Sequence, residues 1–140
     1  MNVVDDQLLI AALSDYPSEP DGLLEPIAVT LTWHYRAARA INSTNGNGVI
    51  SRKFRQFPEY EQTRVRALIN DLPSTITTVD PRNIVPVMTA LSTFGPANLL
   101  ALEAVATALV LDATLAVTTT SPMLERVAKG AGVEINVIAL

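Results

Sequence analysis

The chain has no cysteine and only one histidine, His34, in 140 residues. The first absence excludes disulfides and thiolate metal centres. The second leaves no histidine cluster, and neither a Ser-His-Asp arrangement nor a phosphate-cradling glycine loop is present. Charge is also scarce, at 17% of residues, against the usual quarter. Much of the surface is therefore expected to carry neutral polar groups or a partner. The longest apolar stretch, Ala97 to Leu111, is broken by Asn98, Glu103 and Thr107. It is too short and too interrupted to span a bilayer, so no membrane association is expected. No basic segment followed by an apolar one opens the chain, so no signal peptide is expected. Together with the missing cysteines, this fits a cytoplasmic location.

What is there is enough apolar material for a core, 49% of residues, in a length that suits one domain over 1–140. The net charge of −4 is unevenly placed. Residues 1–35 hold six acids and no Lys or Arg. Residues 36–66 hold Arg36, Arg39, Arg52, Lys53, Arg55, Arg64 and Arg66 against Glu59 and Glu61. An acidic mouth beside a basic flank suits a metal site next to a polyanion groove. The same pattern also suits a solvated helix pair with ordinary surface arginines.

Pattern and punctuation divide the chain into alternating strands and helices. Asn2 to Val4 is a short buried strand. Gln7 to Leu13 is a helix with Asp5 or Asp6 as its N-cap. Tyr16 to Pro26, with its prolines and acids, is a surface loop, and Ile27 to Thr30 is a second strand. Thr32 is placed to cap a helix from Trp33 to Ile41. The Asn-Gly pairs in Ile41 to Gly48 favour turns. Pro58 to Leu72 is an amphipathic helix, and Ser74 to Val79 reads as a strand or a loop. Pro81 starts a helix that stops at Gly95. Pro96 to Leu111 is a helix apolar all round, hence buried. Thr114 to Thr118 is a strand, Pro122 to Ala128 a helix closed by Gly130 or Gly132, and Val133 to Ile138 the last strand. This alternation predicts parallel βαβ units in a three-layer α/β/α fold with a central parallel sheet. The topology of residues 42–95 is not fixed by pattern.

Ligands of open parallel sheets bind at the carboxyl ends of the strands. VVDD (Val3 to Asp6) puts two carboxylates at one such end, and Thr118 to Thr120 puts three hydroxyls at another. Asp5 and Asp6 read either as metal ligands or as a helix cap beside a surface acid. Glu103, the only charge on its helix, either faces the acidic mouth or pairs with Arg36 or Arg39 or lies on an exposed stripe. His34 reads as packed or surface, and Trp33 and Ile41 as core or dimer contacts. Tyr35 and Arg39, four residues apart, share a helix face that either contacts RNA or is plain surface.

The segment EAVATALVLDATLAVTTTSPMLERVAKGAGVEINVI (Glu103 to Ile138) resembles the C-terminal half of PIN domains. There an Ala-rich helix, a strand, a short helix and a final strand follow in that order. VVDDQLLIAAL (Val3 to Leu13) resembles the PIN opening, and WHYRAARAI (Trp33 to Ile41) is similar to a Trp-x-Tyr-Arg helix in a set of small actinobacterial PIN-like proteins. Many PIN domains are Mg²⁺- or Mn²⁺-dependent ribonucleases, including toxins of toxin–antitoxin pairs. The resemblance thus implies an RNA substrate, a divalent ion, an antitoxin-like protein partner and a homodimer. Mg²⁺ takes carboxylate oxygens and acidifies the attacking water. On this resemblance Asp5 matches the first acid, with Asp6 behind it. The stretch of the second acid reads TWHYRAARA, without a carboxylate. The third falls on Ala101, two residues before Glu103, a rotation of roughly 200° on a helix. The fourth falls on Thr120. The expected metal and catalytic set is then Asp5 with Glu103, joined by Asp6 as a ligand. Thr118 and Thr120 line the site, and Tyr35, Arg36, Arg39, Arg52 and Lys53 hold nucleic acid. With the acids this depleted, hydrolysis is expected to be weak or lost. The alternative is a non-catalytic binding or dimerisation module.

Overall fold

The computed structural model describes residues 1–14, 26–43 and 45–140. Apart from Pro26, the loop expected at Tyr16 to Pro26 lies outside them, as does Thr44 of the Asn-Gly segment. Four strands, β1 (Asn2–Val4), β2 (Ile27–Val29), β3 (Thr114–Val117) and β4 (Ile135–Val137), form one parallel sheet in the order β2-β1-β3-β4. Val3 stands opposite Ala28 on one side and Leu115 on the other, and Ala116 stands opposite Asn136. The helices are α1 (Asp6–Leu13), α2 (Leu31–Asn42), α3 (Val49–Arg55), α4 (Glu59–Asn70), α5 (Pro81–Leu91), α6 (Leu99–Leu111) and α7 (Pro122–Ala131). The result is a three-layer α/β/α architecture. Around the sheet, α1 packs with α2 and α4, and α6 packs with α5 and α7.

β1 and β2 are buried throughout and β3 beyond its first residue, whereas β4 at the sheet edge exposes Asn136 and Val137. Val3, Val4, Ile27, Ala28, Leu115 and Ala116 are at most 1% exposed and join Leu8, Leu9, Val65, Ile69, Val105 and Val127 in one continuous core. Burial of this apolar surface is the main stabilising term. α6 meets the core through Ala101 and the run Ala104 to Ala108. Its ends differ from the fully buried helix expected, because Leu99 is 63% and Val110 41% exposed. No single helix among the described residues is long and apolar enough to cross a membrane.

Several boundaries depart from the pattern for identifiable reasons. α2 begins two residues earlier than expected, because Thr30 rather than Thr32 is its cap. The Thr30 Oγ1 accepts from the Trp33 N–H at 3.1 Å. Ser74 to Val79 forms no strand. Only Thr77 bridges to Ala28, donating to the Ile27 carbonyl and accepting from the Val29 N–H. Pro73 and Pro81 flank this segment and leave little room for a ladder. α3 has no counterpart in the expected pattern. It lacks a side-chain cap and is held instead by buried Phe54 and by Ser51, whose hydroxyl donates to the Ala40 carbonyl at 2.9 Å. α6 starts at Leu99 because Asn98 accepts the Ala101 N–H. α7 runs past Ala128 to Ala131, and of the two candidate stop signals Gly132 is used. Its φ of +73° is a left-handed conformation that favours glycine.

Candidate functional site

A cavity of about 620 Å³ opens at the carboxyl ends of β1 and β3. These two central strands are where the chain's direction of travel across the sheet reverses, the place such folds use for ligands. The ends of three helices converge on it. Asp5, Asn98 and Ser121 cap α1, α6 and α7, and all three line the cavity. Helix N-termini carry partial positive charge. The outer wall comes from α2 through Trp33, Arg36 and Arg39, and from Gly46 to Ser51 leading into α3. Gly46 is required there, since a Cβ would collide with the Ser51 hydroxyl.

Asp5 is 5% exposed and fully engaged by the protein. One oxygen, Oδ1, accepts from the Leu8 N–H at 2.9 Å, which caps α1. The other, Oδ2, accepts from the Thr118 N–H at 2.6 Å and the Thr118 hydroxyl at 2.8 Å. The carboxylate therefore ties the tips of two neighbouring strands together. Asp6, 6% exposed, accepts from its neighbour's N–H at Gln7 through Oδ1. Its Oδ2 pairs with Arg36 Nε at 3.2 Å. Burial pushes the Asp6 carboxyl above its ordinary value, the Arg36 guanidinium pulls it part of the way back, and the Asp5 charge adds to the rise.

Glu103 does not reach this cavity. Its carboxylate accepts the Thr32 N–H at 2.9 Å, so it joins Thr30 in satisfying the first turn of α2. This differs from both a shared metal site with Asp5 and an ion pair with Arg36 or Arg39. Thr118, Thr119 and Thr120 do line the cavity, with Thr120 exposed. Arg39 lines it too and lies over the Tyr35 ring at 5.8 Å. Tyr35, 59% exposed, stands outside the lining, as do exposed Arg52 and Lys53 on α3. Two other arginines of the basic stretch have structural partners. Arg64 pairs with Glu61 at 2.8 Å, and Arg66 lies over Phe54. His34 donates from Nε2 to the Ile69 carbonyl at 2.6 Å, which fastens α2 to α4.

A divalent ion of the Mg²⁺ type needs several oxygens with free lone pairs. Among the described residues, no three Asp, Glu, His or Cys side chains gather closely enough to hold one. Of the two acids present, Asp5 already accepts three hydrogen bonds and Asp6 already faces a cation. Among the described residues, the donor set therefore does not fit a protein-held Mg²⁺ or Mn²⁺. Sequence reasoning overlooked Asn98, Trp33 and the Gly46 to Ser51 wall. Asn98 stood out only as a break in an apolar run, and the wall follows a turn-rich segment whose path the pattern leaves open. No protein-family model and no curated protein matches this chain.

Proposed function

We propose that the chain is a divergent PIN-like domain of metal-dependent ribonuclease ancestry, whose cleft binds single-stranded RNA with little or no hydrolysis. The observation that carries this reading is the state of Asp5 and Asp6. Both carboxylates are used by protein donors, one as a staple between strands and one against Arg36. Neither is free to help polarise a water. What supports a nucleic-acid ligand is the position of the cavity at the strand ends, with Arg36 and Arg39 in its lining. Arg52 and Lys53 stand exposed on α3, the helix that follows its wall. Phosphate contacts from such side chains supply affinity without sequence preference.

The test is fluorescence anisotropy of a labelled single-stranded RNA with the full chain, in EDTA and in Mn²⁺, with the products run on a denaturing gel. The expected outcome is salt-dependent binding in both buffers and intact RNA in both. Efficient Mn²⁺-dependent cleavage that tracks the protein through purification would overturn the loss of hydrolysis. Absence of binding at low salt would overturn the RNA ligand.

A further inference from the structure

We propose that the Arg36 guanidinium is the cleft's built-in cation, taking a phosphate group where a nuclease of this architecture would use a divalent ion. The inference rests on the reading of the cavity as an RNA cleft and names the group that grips the phosphodiester. Arg36 sits in the second turn of α2, lines the cavity and keeps 49% of its side chain exposed. Its contact with Asp6 is made through Nε. Both Nη groups have no partner among the described residues, which leaves a planar pair of donors at the cavity wall. A guanidinium held at one edge and open at the other is preorganised for bidentate phosphate binding. The ion pair with Asp6 also removes the repulsion that a buried carboxylate would otherwise exert on an anion. Arg39 follows one turn later, lines the same cavity and has no carboxylate partner among the described residues. The same cavity is lined by Thr119, Thr120 and Ser121, the residues that lead into α7. A phosphate in this space would meet the positive charge of the arginines together with hydroxyl donors.

The experiment titrates inorganic phosphate, in EDTA, into the isotope-labelled full chain, alone and as Arg36→Gln and Arg36→Lys, while following backbone amide and arginine Nε–H signals by NMR. The same proteins are assayed for binding of single-stranded RNA. Arg36 is half exposed and on the surface of its helix, so both variants are expected to fold. The expected result is phosphate-dependent movement of the Arg36 Nε–H and the Thr119 to Ser121 amides. Arg36→Gln should lose it, with RNA affinity falling about tenfold, and Arg36→Lys should keep only part because the planar fork is gone. Phosphate binding that survives Arg36→Gln unchanged, or that requires added Mn²⁺, overturns the inference. Phosphate binding through Arg36 without RNA binding keeps the inference and removes the RNA reading. RNA binding that survives Arg36→Gln does the reverse.

Discussion

Replacing Asp5 by alanine should unfold this protein more readily long before it says anything about catalysis. The side chain caps α1 through Leu8 and accepts two hydrogen bonds from Thr118 at the tip of the neighbouring strand. Loss of an N-cap costs about 1 kcal/mol. A hydrogen bond to a charged group contributes about 1.5–3 kcal/mol, and its loss here would leave the Thr118 N–H without an acceptor. Against this stands the relief of no longer burying a carboxylate. The net loss should be about 3 kcal/mol, a large share of the roughly 5–15 kcal/mol that holds a domain together. In urea, with a slope of about 2 kcal/mol per molar, the midpoint should fall by about 1.5 M. Asp5→Asn should lie between wild type and alanine, because its amide can keep the cap but then turns a donor toward the two Thr118 donors. Thr118→Val should lose about 1 kcal/mol, since only the hydroxyl goes. A loss below about 1 kcal/mol for Asp5→Ala would refute the stapling role. A matching loss in Thr118→Val and Asp5→Ala would place the whole contribution in the hydroxyl.

Three further outcomes follow from named contacts. For Asp6, the folded-state pKa lies above its ordinary value of 3.8, so the folded state binds its proton more tightly than the unfolded state. Stability linked to this group is therefore present at low pH and declines as pH rises through the folded pKa. Asp6→Asn, which can still accept from Gln7, should gain on wild type as pH rises from acid to neutral. A stability difference independent of pH in denaturant melts would contradict that cause. Glu103→Ala should destabilise by about 1 kcal/mol by uncovering the first turn of α2. It should leave phosphate titrations unchanged, because Glu103 does not line the cavity, and a lost titration would bring it back into the site. Gly132→Ala should lower the thermal midpoint, at about 1 kcal/mol for a non-glycine residue held in the left-handed region. An unchanged midpoint would mean that α7 can end differently.

The strand and helix order at both ends of the chain was legible because those segments are short, apolar and closed by cap residues. Asp5 or Asp6 as an N-cap, Pro122 at the first turn of α7 and Gly130 or Gly132 near its end are local signals that narrow each boundary to a few residues of chain. In the middle, the helices at Pro58 to Leu72 and from Pro81 were legible from their apolar spacing and proline punctuation, whereas the segments that depend on distant partners were not. α3 is too short and too weakly capped to declare itself, and it forms where Ser51 reaches the Ala40 carbonyl and Phe54 is buried. Thr77 touches β2 at one point only, and alternation in Ser74 to Val79 could not distinguish that bridge from a strand. Thr30 caps α2 in place of the expected Thr32, whose own N–H is taken by Glu103, 71 positions away along the chain.

The same distance problem explains why the acids were harder to interpret than the fold. A strand ending in Asp before a helix satisfies a capping rule and a metal-site pattern equally well, since both ask for a carboxylate at the carboxyl edge of the sheet. The difference lies in what faces it. A second carboxylate opposite Asp5 would make the pair repel unless a cation came between them. A threonine offers an N–H and an O–H instead, and these donors turn the carboxylate into an acceptor for the protein itself. Thr118 does this for Asp5, and Arg36 brings a permanent cation to Asp6. Among the described residues, Thr118 and Arg36 thus supply Asp5 and Asp6 with donors and a cation from the protein itself, so the two carboxylates are partnered with no ion between them.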